Sequence, residues 1–96
     1  MMIIISYDVS TVDRKGQTRL RKVAKECQRH AQRVQNSLFE ANLDYSAFMK
    51  LKDKLVNLID ENKDSLRFYY LGNNWERRVE HIGAKPSYNP EGVIIV

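Results

Sequence analysis

The 96-residue sequence is poor in the residues that build linkers, disulfide scaffolds and membrane spans: it has one cysteine, two prolines and four glycines. A lone Cys27 excludes an intrachain disulfide and a CxxC zinc motif. The longest apolar runs, Met1–Ile5 and Val93–Val96, are far shorter than the roughly 20 residues that cross a bilayer. The N-terminus lacks the basic region and cleavage site of a signal peptide. We therefore expect one soluble, cytoplasmic domain over residues 1–96, with no membrane partner.

Basic residues are concentrated in one part of the sequence. The segment from Arg14 to Arg33 contains eight lysines and arginines against one acid, Glu26, whereas the whole chain carries a net charge of +4. Such a stretch favours a polyanionic partner, of which nucleic acid is the commonest. The alternative is a solvated helix face without a ligand.

Residues 2–9 have the pattern of a central β-strand, because apolar side chains occupy both faces near its start. Odd-numbered residues from Ile3 to Tyr7 share one face, and even-numbered residues from Ile4 to Asp8 share the other. Asp8 stands at the carboxyl end, where strands commonly deliver functional side chains. The alternative is a structural carboxylate that accepts backbone N–H groups in the connection over residues 10–16.

Two amphipathic helices are predicted from apolar residues at helical spacing. Asp13 and Thr18 are both candidate N-caps of the first helix, and Asp44 is the candidate N-cap of the second. Cys27 lies on the apolar side of the first helix and is predicted to be a core residue rather than a nucleophile. That side consists of Leu20, Val23, Ala24, Cys27 and Ala31.

The remaining segments predict the fold class. If residues 32–43 split into a short hairpin, the order of elements is βαββαβ, an α+β ferredoxin-like sandwich with both helices on one face of the sheet. Residues 1–82 then form the core. Residues 83–96 form a loop and an additional C-terminal strand. Strands are predicted within residues 32–43 and over 65–71, 75–82 and 92–96.

The C-terminal strand also predicts an oligomer. Its four aliphatic residues, Val93–Val96, leave it no polar face, and an exposed strand of this kind is prone to aggregate. Either the chain's own sheet or a second subunit must cover it. Because the core of so small a domain is modest, we expect this segment to pack across a homodimer.

Within the basic segment, one set of cations lies on a single side of the predicted helix. Phosphate contacts require charge and reach, so this set is a candidate phosphate-binding stripe; simple solubility is the alternative. Arg19 and Arg21 lie about 200° apart on a helical wheel, so one helix cannot aim both at the same ligand. The stripe consists of Arg14, Arg21, Lys25 and Arg29.

The aromatic and histidine residues give weaker indications. Phe68, Tyr69, Tyr70 and Trp75 have faces on which bases can stack, as in single-strand binders. The alternation of the strand instead favours core packing for Phe68 and Tyr70. His30 and His81 lack the spacing of zinc ligands with Cys27, so no zinc site is predicted.

Four segments together resemble the CRISPR-associated Cas2 proteins, the small subunits of the spacer-acquisition machinery. They follow one another in the family's order and spacing, and the resemblance covers nearly the whole chain. They are Ser6-Tyr-Asp-Val9, Arg19-Leu-Arg-Lys-Val-Ala-Lys25, Arg33-Val-Gln-Asn-Ser-Leu-Phe-Glu40 and Leu66-Arg-Phe-Tyr-Tyr-Leu71.

The resemblance implies a ferredoxin-like homodimer that binds double-stranded DNA and is the partner of the Cas1 integrase. It also implies a nuclease that depends on Mg²⁺ or another divalent cation and acts on RNA or on duplex DNA. Asp8 matches the family's catalytic and metal-binding aspartate. Positions treated in the family as active-site or nucleic-acid contacts are matched by Tyr7, Arg19, Arg21, Arg33 and Phe39. For Phe39 a core role is the alternative, and for Arg33 it is an unengaged surface residue.

Three functions are consistent with this sequence. The first is a magnesium-dependent endonuclease that uses Asp8. The second is a structural DNA-binding adaptor without catalysis, and the third is a generic ferredoxin-like RNA-binding domain. A magnesium site made of one aspartate per chain is sparse, but a two-fold axis near the end of the first strand would bring two copies of Asp8 together.

Overall fold

Secondary-structure elements follow one another in the order βαββαββ in a computed structural model that describes residues 1–71 and 79–84. Both candidate helices and the hairpin within residues 32–43 are present. The predicted strand over 92–96 lies outside the described residues. The elements are β1 (Met2–Asp8), α1 (Arg14–His30), β2 (Gln32–Gln35), β3 (Leu38–Asn42), α2 (Tyr45–Leu58), β4 (Ser65–Tyr70) and β5 (Val79–Gly83).

The strands form one antiparallel sheet in the order β2-β3-β1-β4-β5. Strand β1 lies at its centre, with Ile5 opposite Phe39 of β3 on one side and opposite Phe68 of β4 on the other. The predicted α+β, ferredoxin-like βαββαβ arrangement is confirmed. Of the strand predicted over residues 75–82, the part from Val79 onward is β5, which extends to Gly83, and residues 75–78 lie outside the described residues.

Aspartates cap both helices. The Asp13 carboxylate accepts a hydrogen bond from the Gly16 backbone N–H at 2.8 Å, so Asp13, and not Thr18, is the N-cap of α1. The Asp44 carboxylate accepts the Ala47 N–H at 2.7 Å, as predicted for α2. Each cap satisfies a backbone donor that the first turn of a helix leaves without an internal partner. No helix in the described ranges is long and apolar enough to cross a membrane.

The hydrophobic core lies between the two helices and one face of the sheet. Ile3, Ile5 and Tyr7 of β1 point into it, whereas the alternate residues of β1 are half-buried or exposed. Cys27 is fully buried, which confirms its prediction as a core residue, and burial raises the pKa of its thiol to about 12. The other fully buried side chains include Val23, Phe39, Phe48, Leu51, Leu55, Leu66 and Phe68.

The connection between α2 and β4 carries a fully buried carboxylate, Asp64. Its Oδ2 accepts the Arg19 Nε–H at 2.7 Å, and its Oδ1 accepts the Arg19 Nη2–H at 3.3 Å. The backbone N–H of Ser10 donates to Oδ1 at 3.0 Å, and that of Asp60 donates to Oδ2 at 2.9 Å. Asp64 therefore ties the β1–α1 loop, helix α1 and its own connection together.

This environment determines the ionisation of Asp64. Burial alone raises the pKa of a carboxyl group, but the Arg19 guanidinium and the N–H groups of Asp60 and Ser10 stabilise the charged form more strongly. The pKa of Asp64 is consequently held below its ordinary value of 3.8. The same contact with Asp64 raises the pKa of Arg19. The pair is charged throughout the neutral range.

We expect Asp64→Asn to lower the free energy of unfolding by about 1–3 kcal/mol at pH 7, because an uncharged amide cannot accept all four of the hydrogen bonds that the buried Asp64 carboxylate accepts from Arg19, Ser10 and Asp60. Since the folded pKa of Asp64 lies below the unfolded one, this contribution is complete above about pH 5 and is lost as the pH falls through the folded value. Urea denaturation at several pH values measures it. The control is Asp53→Asn at an exposed position of α2. A wild-type advantage that does not shrink below about pH 4 would show that the charge of Asp64 is not its source.

Candidate functional site

Asp8 is the last residue of β1 and its side chain is exposed. It lies on the face of the sheet opposite to the helices, and its Cα partner on β4 is Ser65. In the alternative, structural role, Asp8 would accept backbone N–H groups of the connection over residues 10–16. Two of those N–H groups donate to other carboxylates instead. The N–H of Ser10 is bound by Asp64, and that of Gly16 is bound by Asp13. Asp8 thus stands at the carboxyl end of the central strand, as the sequence predicts.

The sheet face that carries Asp8, called the open face below, is not covered by a helix in the described ranges. Ile4 lies between Glu40 and Tyr69, and Ser6 lies between Leu38 and Arg67. Several of these side chains are apolar and only half-buried. The open face is defined here as Ile4, Ser6 and Asp8 of β1, Leu38 and Glu40 of β3, Arg67 and Tyr69 of β4, and His81 of β5.

A histidine and an arginine pair across β4 and β5 on this face. The Arg67 Nε–H donates to His81 Nδ1 at 2.9 Å. Nδ1 is therefore the acceptor nitrogen, and the proton of a neutral His81 ring sits on Nε2. That Nε2 is buried and has no hydrogen-bond partner within residues 1–71 and 79–84. Buried donors are nearly always paired, so this atom indicates a polar partner that the described residues do not supply.

Tyr7, Arg33 and Phe39 come together, but on the helix side of the sheet. The rings of Tyr7 and Phe39 stack with centroids 6.0 Å apart, and the Arg33 guanidinium lies 5.2 Å from the Phe39 centroid. The Tyr7 hydroxyl donates to the carbonyl of Asn36 at 3.2 Å. Burial raises the pKa of Tyr7, and the adjacent Arg33 opposes that rise.

These three residues are thus on the opposite side of the sheet from Asp8. Tyr7 and Phe39 belong to the core, where Phe68 also lies fully buried, so none of these rings is available to stack on a base. Arg33 is exposed at the edge strand β2. Its guanidinium lies over the ring of Phe39, its partner residue on β3, and this cation–π contact links the two strands of the hairpin.

The basic stripe of α1 is exposed along its whole length, as the sequence predicts. Arg14, Arg21 and Lys25 are exposed, and Arg29, with 57% of its side chain accessible, donates to Glu26 at 3.2 Å. Arg19 is different, because only 17% of its side chain is exposed and its guanidinium binds Asp64. The structure separates Arg19 from the stripe.

A metal site has few candidate ligands in one chain. The described ranges contain no group of three or more His, Cys, Asp or Glu side chains placed to hold an ion. Mg²⁺ is often bound by one or two carboxylates together with water and substrate phosphates. The exposed oxygen donors of Asp8 fit that chemistry if a second chain supplies another carboxylate.

Asp64 is the residue that sequence reasoning missed. Its position directly before the buried strand β4 is the one local signal, since a carboxylate there must be paired or pay for desolvation. Its partners could not be inferred, because Arg19 and Ser10 precede it by 45 and 54 residues.

Comparison with known proteins identifies the family. Residues 1–79 match the family described as "CRISPR associated protein Cas2". A "CRISPR-associated endoribonuclease Cas2" of Nitratidesulfovibrio vulgaris is 55% identical over 96 residues, covering 100% of this chain and 94% of that protein. A "CRISPR-associated endonuclease Cas2" of Halalkalibacterium halodurans is 56% identical over 95 residues, covering 99% of each.

The fold agrees with this assignment. The crystal structure of Streptococcus pyogenes Cas2 superposes with a TM-score of 0.70 at 51% identity, covering 86% of this chain and 100% of that one. The family match over residues 1–79 extends from the first strand, which carries Asp8, through both helices to the start of β5. The chain therefore belongs to the CRISPR-associated Cas2 family.

Proposed function

We propose that this chain is a nuclease that hydrolyses phosphodiester bonds at a divalent-metal site shared by two copies of Asp8. In this proposal the homodimer binds double-stranded DNA through the basic stripe and acts with the Cas1 integrase during spacer acquisition. The names of the two relatives, an endoribonuclease and an endonuclease, support phosphodiester hydrolysis. Because those names differ in substrate, RNA remains a second substrate class.

The observation that carries the proposal is the position of Asp8. It is an exposed carboxylate at the carboxyl end of the central strand, on the one sheet face that no described helix covers. A buried position would leave it unable to meet a second copy of itself. On the open face, a two-fold axis close to the end of β1 brings two such carboxylates together.

The open face has the features of a surface that a second subunit covers. Ile4, Leu38 and Tyr69 form a half-buried apolar patch beside the polar Ser6. His81 Nε2, for which the described part of the chain offers no acceptor, adds a donor to this surface. Packing two open faces together removes the apolar patch from water, and this burial stabilises the dimer by roughly 25 cal/mol per Å² of apolar surface.

The chemistry of such a site follows from its parts. Two Asp8 carboxylates would hold the ion, and a bound ion would supply Lewis-acid activation of a phosphate and of a water molecule. Hydrolysis adds that water across one P–O ester bond, so that its hydroxyl goes to phosphorus and its proton goes to the departing oxygen of the nucleic-acid backbone. The cations of α1 position the substrate through its phosphates and carry no sequence preference.

We expect Asp8→Asn to abolish divalent-metal-dependent cleavage, because an amide neither carries the charge nor replaces the carboxylate as a ligand of Mg²⁺. Cleavage of RNA and of duplex DNA is measured against Mg²⁺ concentration with purified protein. Asp53→Asn removes one carboxylate from an exposed site on α2 and is expected to cut like the wild type.

Full cleavage by Asp8→Asn would contradict the nuclease proposal. The adaptor function is then tested by spacer acquisition in cells. Acquisition that survives Asp8→Asn but requires binding to a Cas1 subunit would assign the chain a structural role.

We expect the wild-type mass in solution to be that of two chains, and Ile4→Glu to reduce it to one. A charge at the centre of the apolar patch would be buried without a partner in the dimer. Light scattering coupled to size exclusion measures the mass, and circular dichroism verifies the fold. The control is Val12→Glu, at a residue that is 91% exposed in the β1–α1 loop. A dimer that persists in Ile4→Glu would show that the interface does not lie on the open face.

We expect the logarithm of the affinity for duplex DNA to fall linearly with the logarithm of salt concentration. Replacing Arg21 and Lys25 together by Gln removes four cations from the dimer and should reduce the slope by up to about 3.6, because each phosphate that a side chain no longer neutralises lowers it by about 0.9. Fluorescence anisotropy at several salt concentrations gives the slope. Lys50→Gln, at an exposed site on α2, is the control. Equal slopes for the wild type and the double variant would exclude the stripe as the phosphate-binding surface.

A further inference from the structure

We propose that Asp64 is a positioning residue for Asp8: through Ser10 and Arg19 it fixes the loop that leaves strand β1 and so sets the backbone that presents the Asp8 carboxylate. This inference rests on the proposed function of Asp8. It assigns to the Arg19–Asp64 ion pair a role in metal binding.

Asp64 reaches Asp8 from two directions. Its Oδ1 accepts the backbone N–H of Ser10 at 3.0 Å, and Ser10 follows Asp8 by two residues. Asp64 also precedes Ser65, which is the Cα partner of Asp8 in the sheet. The same residue therefore anchors the chain just beyond Asp8 and adjoins the residue paired with it.

Asp64 is itself held rigidly. Its backbone N–H donates to the carbonyl of Asp60 at 2.7 Å, and its carbonyl accepts the N–H of Ala84 at 2.9 Å. Gly83 has a φ of +128°, and a Cβ at that position would collide with the Asp64 carbonyl. Only glycine tolerates this positive φ and has no Cβ to cause the collision, and Gly83 thus allows the end of β5 to pack directly against the backbone of Asp64. Arg19 completes the anchor through two hydrogen bonds.

A consequence for metal binding follows. Asp8 is the last residue of β1, and a loop follows it. The hydrogen bond from the Ser10 N–H to Asp64 is one of the contacts that fix this loop to the rest of the domain. Without that bond the end of β1 adopts several conformations, and only one of them presents Asp8 correctly for ion binding. The apparent affinity for an ion is then reduced in proportion to the population of that conformation. The maximal rate at saturating metal is preserved, because the competent arrangement itself is unchanged.

Asp64→Asn tests the proposal in the metal-free protein and in a direct binding measurement. The amide has nearly the same shape but cannot accept both hydrogen bonds from Arg19 and both from the backbone. We expect faster amide hydrogen exchange at Ser10 without metal. By calorimetric titration with Mn²⁺ we expect affinity to fall about tenfold, the low end of the range for residues that orient a metal ligand.

Glu80→Gln is the control. It removes the same charge and breaks another ion pair, to Lys52 Nζ at 2.6 Å, on the helix side of the sheet. We expect it to leave Ser10 exchange and Mn²⁺ affinity at wild-type values. A loss of affinity equal to that of Asp64→Asn would overturn the proposal, because general destabilisation would then explain both.

Arg19→Gln separates positioning from electrostatics and serves if Asp64→Asn does not fold. Removing a cation near an acidic ion site strengthens cation binding on Coulombic grounds. The positioning role predicts weaker Mn²⁺ binding and faster Ser10 exchange, both partly restored in Arg19→Lys. Unchanged or tighter binding in a folded Arg19→Gln overturns the proposal. If Asp8→Asn binds Mn²⁺ as the wild type does, the function proposed for Asp8 fails, and Ser10 exchange still reports whether Asp64 anchors the loop.

Discussion

The alternation of strand β1 is the constraint on which the rest of the structure depends. Ile3, Ile5 and Tyr7 fill one face with apolar area, and that area requires both helices on the same side of the sheet. Because consecutive side chains of a strand point to opposite faces, the same requirement places Asp8 on the face that the helices leave uncovered. A shift of register by one residue would bury the carboxylate and expose the core.

Two kinds of charge serve two purposes in this small domain. The cations of the basic stripe are exposed and reach outward, whereas Arg19 turns inward and binds Asp64. An exposed cation contributes little to stability but is available to a polyanion. A buried pair contributes to the arrangement of the backbone around it, here the loop that follows Asp8. Proximity in the sequence, as between Arg19 and Arg21, therefore does not imply a shared role.

Much of the fold could be predicted because its signals are local. The Asp44 cap and the apolar side of α1 depend on residues within a few positions of one another, and both were predicted correctly. The hairpin at residues 32–43 was conditional in the sequence, since twelve residues barely accommodate two strands and a turn; a two-residue turn at Asn36 and Ser37 makes it fit. The contacts of Asp64 could not be predicted from the sequence, because its partners lie 45 and 54 residues away and no local pattern encodes such contacts.

The central claim is that two Asp8 side chains meet across a two-fold axis. A spin label at position 8, introduced as Asp8→Cys, measures this directly, since the one native thiol, Cys27, is fully buried, has a raised pKa and resists labelling. The account predicts strong dipolar broadening in the labelled dimer that disappears when labelled chains are diluted with unlabelled ones. A labelled dimer without broadening would contradict the account, because the two carboxylates would then be too far apart to share an ion.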